Sequence, residues 1–256
     1  MIHRKTPEEI VIMHEGGAKL GGILRKLLTL AQPGVRLLDI DKEADALIAA
    51  SGGTPSFKTV KGYKWATCLC VNEVVVHGVP TEYVLKEGDV FTIDIGLAYK
   101  GFHTDTAWTK IIRGQDSHFL KIGQEALSRA IDLARVGNYV GDLSASTQTI
   151  IEGAGFNVVK SLVGHGVGRE LHEDPQVPNY LPAKAGVRGD SKNTYQFQGG
   201  ETIAVEPIYV MGEGAVVYEN SDGWTVATRD RSMASVFEHS IAITENGPIV
   251  LTQAQT

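Results

Sequence analysis

The sequence predicts an α+β fold made of two related halves around a sheet, and three observations carry that expectation. Helix, helix, strands is the order of patterns over about residues 1–113, and the same order returns over 114–256. Residues 91–109, FTIDIGLAYKGFHTDTAWT, alternate apolar and polar side chains as two strands joined by a short turn. Each arm of that hairpin carries one aspartate, Asp94 and Asp105, among flanks such as Phe91, Ile93, Ile95 and Trp108 that make a fully solvated hairpin implausible. No residue-level repeat is visible, so the duplication rests on element order alone.

Taken in order, Thr6-Pro7-Glu8-Glu9 opens a helix: Thr6 caps, Pro7 suits the first turn and Glu9 closes a capping box. Ile10, Met13, Leu20, Leu24 and Leu27 follow at helical spacing, and Gln32-Pro33-Gly34 ends the run. A second helix starts near Asp39 with Ala44, Leu47 and Ile48 inward, and Gly52-Gly53 ends it. WATCLCV, NEVVVHGVP and the hairpin are strands. In the second half Asp116 is expected to cap a helix ending at Gly137, and Asp142 another ending near Gly153. FNVVKSLV, TIAVEPIYV and SVFEHSIAIT are the later strands.

Composition narrows the function classes. The 256 residues are 43% hydrophobic and 21% charged, enough for a proper core in one large domain or two small ones. A formal charge of -6 argues against a chain whose main task is gripping phosphates, so no sequence-specific nucleic-acid binding is expected. The first 20 residues carry Arg4, Lys5, Glu8, Glu9 and Glu15, which excludes an apolar signal core, and no run approaches a membrane span. Cys68 and Cys70 lie two apart on one strand, a poor geometry for a disulfide and a count that suits a reducing cytoplasm.

The chemistry starts from the paired aspartates. If the hairpin turns about Tyr99-Lys100, Asp94 and Asp105 face each other; if about Lys100-Gly101, they are one diagonal step apart on the same face. Either way two acids converge on an apolar hairpin with no evident Lys or Arg between them, which points to a metal ion. Three more candidate ligands lie downstream: His165 between two glycines, Glu206 between Val205 and Pro207, and Glu238. Beside His239, Glu238 alone would also suit a surface turn. The glycine run 164–168 lacks the Lys-Ser/Thr ending of a phosphate loop. Four carboxylates and one imidazole suit hard or borderline divalent ions, and the size of the set suits two.

Five motifs, NEVVVHGVP, FTIDIGLAYKGFHTDTAWT, GHGVGRELHEDPQVPNY, ETIAVEPI and DGWTVATRDRSMASVFEHSIAIT, fall in this order along the chain. In them the sequence resembles methionine aminopeptidase type I, of the pita-bread metallopeptidase fold. The resemblance implies two pseudo-symmetric halves with a central antiparallel sheet flanked by helices, in one catalytic domain over 1–256 with no amino-terminal extension. It implies two divalent ions per chain (Co, Mn, Fe or Zn) held by Asp94, Asp105, His165, Glu206 and Glu238, with Asp105 and Glu238 as bridges and Glu206 as proton carrier. His77 would contact the substrate backbone at the scissile amide, and His172 would steady the tetrahedral intermediate. Tyr63, Cys68, Leu171 and Trp224 match positions lining a methionine pocket, with Phe57 a looser match.

The implied activity is removal of amino-terminal methionine from nascent proteins when the second residue is small. The implied setting is a cytoplasmic monomer, with a transient ribosome contact left open. Two departures stand out: the segment 183–200 is longer and more polar than usual, and 56–64 matches poorly. Rival readings are a proline-directed aminopeptidase of the same fold and a non-enzymatic ribosome- or RNA-binding relative. The acidic chain and complete ligand set argue against the second.

Overall fold

The protein is described by a computed structural model over residues 2–182, 189–219 and 222–253. Met1 and the first part of the polar segment, 183–188, lie outside the described residues. Helix α1 (Pro7–Leu30) has the expected capping box, Thr6 Oγ1 accepting from the Glu9 amide and Glu9 Oε2 from the Thr6 amide. Such a cap contributes roughly 1 kcal/mol. Helix α2 (Leu37–Ala50) begins two residues before Asp39, because Arg36 Nε reaches the Asp39 carboxylate at 2.9 Å and braces the first turn.

The hairpin is formed by Val90–Tyr99 and Phe102–Ile111, and it turns about Lys100-Gly101. Lys100 (φ 49°) and Gly101 (φ 84°) both take the left-handed conformation that a two-residue turn with the sheet's twist requires. Asp94 therefore faces Ala107, and Asp105 faces Gly96: the aspartates are diagonal neighbours on one face. The strand separates two environments. Phe91, Ile93, Ile95 and Leu97 pack with Leu20, Leu24 and Leu27 of α1 and Ile40 and Ile48 of α2, while Asp94 points the other way. The free edge of Val90–Tyr99 pairs with Thr67–Val71 and, near its far end, with Thr54–Pro55.

Two further helices precede the later strands. Helix α3 (His118–Leu133) is capped by Ser117, whose hydroxyl accepts from the Leu120 amide, and not by Asp116, whose carboxylate takes Gln124 Nε2 instead. In α4 (Val140–Gly153) Asp142 is the third residue rather than the cap, its carboxylate accepting from the Tyr139 amide at 2.8 Å. Leu120 and Leu127 of α3 join Ile203, Val205, Tyr209 and Phe237 in a second core. Packing there is close enough that a Cβ on Gly123 would fall 2.4 Å from the Tyr209 hydroxyl.

The second half holds an antiparallel five-stranded sheet in the order Gly247–Val250, His239–Thr244, Thr202–Val205, Val163–Gly166, Glu173–Pro178. TIAVEPIYV is not one strand. It breaks at Glu206-Pro207 into Thr202–Val205 and Ile208–Val210, which belong to different sheets. SVFEHSIAIT breaks likewise at Phe237-Glu238, between Ala234–Val236 and His239–Thr244. Proline cannot donate to a ladder, and the two breaks lie side by side, with His239 opposite Val205 and Val236 opposite Ile208. Both glutamates therefore sit in gaps between sheets, where they can leave the plane.

Candidate metal centre

A cavity of about 760 Å³ opens at these breaks, and Asp94, Asp105, His165, Glu206 and Glu238 all line it. The donors come from the hairpin, the Val163–Gly166 strand and both gaps, so the fold and not local sequence assembles them. Side-chain hydroxyls lace the two halves here. Ser240 Oγ accepts from the Asp105 amide at 2.8 Å and donates to the Asp105 carbonyl at 2.9 Å. Thr106 Oγ1 donates to the Glu238 carbonyl at 2.7 Å, and the Glu238 amide donates to the Ala107 carbonyl at 2.9 Å. These bonds hold the backbones of Asp105 and Glu238 against each other.

The electrostatics of the cluster call for a cation. Burial first, and then the charges of Asp105 and Glu206, push the Asp94 carboxyl well above the usual carboxylate range. Burial and the Asp105 charge do the same to Glu206, and Glu238 is raised by burial and then by Asp105, Glu206 and Asp94. Glu238 is only 3% exposed, so it does not occupy a surface turn. Asp94 Oδ1 is buried with no hydrogen-bond partner.

His165 gives the sharpest test of fit. Its Nδ1 lies 2.8 Å from the Gly166 carbonyl, an acceptor, so Nδ1 carries the proton. Burial and the neighbouring His172 lower its pKa to about 4, which keeps Nε2 a bare lone pair. That lone pair faces Glu206 Oε1 at 3.6 Å, beyond hydrogen-bond distance, so His165 Nε2 has no close partner in the carboxyl it faces. Donor atoms of Asp105, His165 and Glu238 fall within 4.8 Å of one another. An orphaned carboxylate oxygen, an imidazole lone pair turned toward the carboxyls and a compact triad fit a divalent ion with oxygen and imidazole ligands.

The remaining sequence-derived residues line the same cavity. Tyr63, Cys68, Leu171 and Phe57 form one apolar cluster, with Trp224 packed against it. The Tyr63 and Trp224 rings meet edge to face at 5.1 Å, and the Tyr63 hydroxyl donates to the Thr67 carbonyl while lying 3.2 Å from Cys68 Sγ. Cys68 pairs directly with Asp94, which sets this apolar wall beside the carboxylates. His77 takes a left-handed backbone (φ 55°), and a Cβ on the next residue, Gly78, would lie 2.3 Å from the Leu69 carbonyl. The His172 ring meets that of His165 at 4.4 Å. Burial lowers the pKa of both His77 and His172, so near neutral pH each is an uncharged donor or acceptor.

Sequence reasoning passed over several residues that the cavity exposes, among them His3, Val60, Glu170, Glu173 and Gln176. Gln176 had a findable signal, since it pairs with His165 across the antiparallel ladder. Ser240 and Thr106 had none, because their partners lie more than 130 positions away.

Residues 12–245 match the family model for metallopeptidase family M24. The chain is 39% identical over 256 residues to methionine aminopeptidase 1 of Bacillus subtilis (strain 168), covering 99% of this chain and 100% of that protein. The crystal structure of a methionine aminopeptidase from Thermotoga maritima superposes with a TM-score of 0.92 at 40% identity, covering 99% of this chain and 100% of that one. A prolidase from Pyrococcus furiosus shares the fold, at a TM-score of 0.77 and 22% identity, with 99% of this chain and 66% of the prolidase covered. With its five donors, its pita-bread architecture of helices and antiparallel sheets, and these matches, the chain belongs to metallopeptidase family M24.

Proposed function

We propose that the protein removes amino-terminal methionine from peptides and new proteins whose second residue is small, with two divalent ions in the cavity. The observation that carries this reading is the convergence of the four carboxylates and His165 directly beside the Tyr63–Cys68–Trp224 wall. The identities to methionine aminopeptidases support release of methionine over cleavage beside proline, since the prolidase likeness concerns the fold alone.

Asp94, Asp105, His165, Glu206 and Glu238 would hold the ions. When bound, the ions supply Lewis acidity and a water of lowered pKa. The chain's own residues do the rest. The aromatic wall and Cys68 pack against a thioether, a polarizable side chain suited to such contacts. His77 hydrogen-bonds the substrate backbone at the scissile amide. As the water oxygen bonds to the carbonyl carbon, negative charge builds on the carbonyl oxygen and His172 donates to it. Glu206, which lines the cavity beside the other carboxylates, takes the water's proton. It then delivers that proton to the peptide nitrogen as the C–N bond breaks.

A paired peptide assay tests the substrate. Met-Ala-Ser is expected to release free methionine; Met-Ile-Ser remains intact because a bulky second residue crowds the cavity beside His77, and Ala-Pro-Ser because alanine leaves the methionine pocket unfilled. Comparable cleavage of Met-Ile-Ser sinks the pocket assignment, and preferential cleavage of Ala-Pro-Ser favours a proline-directed enzyme. The histidines separate from the ligands by metal content. His172→Ala should lower kcat about a hundredfold or more with bound metal unchanged, as loss of one oxyanion donor does. His77→Ala should slow turnover with its metal retained as well. Loss of metal in either variant makes that histidine a ligand.

A further inference from the structure

One buried cation ties the segment ahead of α1 into the wall of the cavity. Lys5 is 7% exposed, and its ammonium donates to Glu173 Oε2 at 2.6 Å and to the His3 carbonyl at 3.0 Å. The other Glu173 oxygen, Oε1, accepts from the Glu170 amide at 3.1 Å. One carboxylate thus closes the turn 168–173, the turn that presents Leu171 and His172 to the cavity. Its near end is pinned as well, the His103 amide donating to the Gly168 carbonyl at 2.6 Å.

Gly168 shows how closely the lysine is built in. A Cβ there would lie 2.3 Å from Lys5 Cε and 2.5 Å from Nζ, so the turn lacks a side chain where the lysine passes. Helix α1 does not need this ion pair for its start, since Thr6 and Glu9 already cap it. A buried ion pair is a weak source of net stability, yet breaking one leaves a buried charge that the surroundings must move to accommodate. What would move is the turn under His172.

We propose that Lys5 is a positioning residue: through Glu173 it fixes the turn 168–173 so that His172 meets the carbonyl oxygen of the scissile bond. The inference rests on the reading of His172 as the donor to that oxygen. Lys5 touches neither substrate nor ligand, and its effect on the rate passes through His172.

The test is a double-mutant cycle on the metal-loaded enzyme with Met-Ala-Ser as substrate. Lys5→Met is expected to lower kcat about tenfold and to change KM less than about twofold, with metal content unchanged. In the His172→Ala background the same substitution should change kcat by less than about twofold, because the group it positions is gone. Gly168→Ala, which expels the lysine from the turn side, should reproduce the loss, and it carries the test if Lys5→Met does not fold. An equal fall in kcat with and without His172, or no fall in either background, overturns the proposal. If His172→Ala itself retains full kcat, the oxyanion role fails first, and that result is read separately from the Lys5 arm.

Discussion

Asp105→Ala and Glu238→Ala are each expected to abolish methionine release and to strip most of the bound metal. Both carboxylates are almost fully buried, and both backbones are anchored across the two halves, Asp105 by Ser240 and Glu238 by Ala107 and Thr106. A donor on so rigid a mount has no neighbour able to swing into its place. The fall in rate should exceed about a hundredfold, the upper range for changes outside the ligand shell. Stability moves the other way. Burial raises the proton affinity of both acids, and for Glu238 the charges of Asp105, Glu206 and Asp94 add to it, so removing one relieves the metal-free protein. Metal analysis and thermal unfolding of the purified variants check both halves of the expectation. Two ions per chain and full activity in both variants contradict the assignment; so does a metal-free Tm well below that of metal-free wild type.

Without metal the protein loses stability as pH rises above about 6.5, the ordinary histidine value, because the cluster's carboxyls still hold protons there. Asp94, Glu206 and Glu238 hold protons well above the usual carboxylate range, chiefly through burial. The folded chain there binds more protons than the unfolded one, so stability falls as those protons leave. Histidines act in the opposite sense at lower pH. Burial lowers His77, His103, His165, His172 and His239, so these groups bind more protons in the unfolded chain up to about 6.5, and their contribution to stability rises with pH there against that of the carboxyls. Above that point imidazoles are neutral in both states and only the carboxylates remain to set the slope. Added divalent ion replaces those protons, raises Tm and removes the fall. Thermal unfolding at several pH values, with chelator and with metal, measures it. A metal-free Tm that rises steadily from pH 6.5 to 8 contradicts the electrostatic picture of the cluster.

Much of the site was legible because strands write their two faces into alternate residues. Period-two alternation over 91–109 put Asp94 and Asp105 on one face whichever turn was chosen. The choice between the two turns was not legible, because it depends on whether Lys100 can adopt a positive φ, as it does. Pro207 offered a signal for one strand break that the reading of TIAVEPIYV as a single strand passed over. The other, at Phe237-Glu238, carries no local signal and follows from its neighbour, with the Phe237 amide reaching only the Pro207 carbonyl at 3.4 Å. Helix starts were misplaced where two polar residues compete: Ser117 and Asp116 are both good caps, and backbone geometry selects the serine. Lys5 was invisible, since its partner lies 168 positions away and a lone lysine before a helix reads as solvated.

The most direct measurement is methionine release from Met-Ala-Ser by metal-depleted protein, before and after adding back single divalent metals with bound ions counted. The expected result is no release without metal, recovery on addition, and activity that saturates as the Asp94–Asp105–His165–Glu206–Glu238 cluster fills. Full release by protein shown to hold no metal, or metal bound with no methionine released, would contradict it.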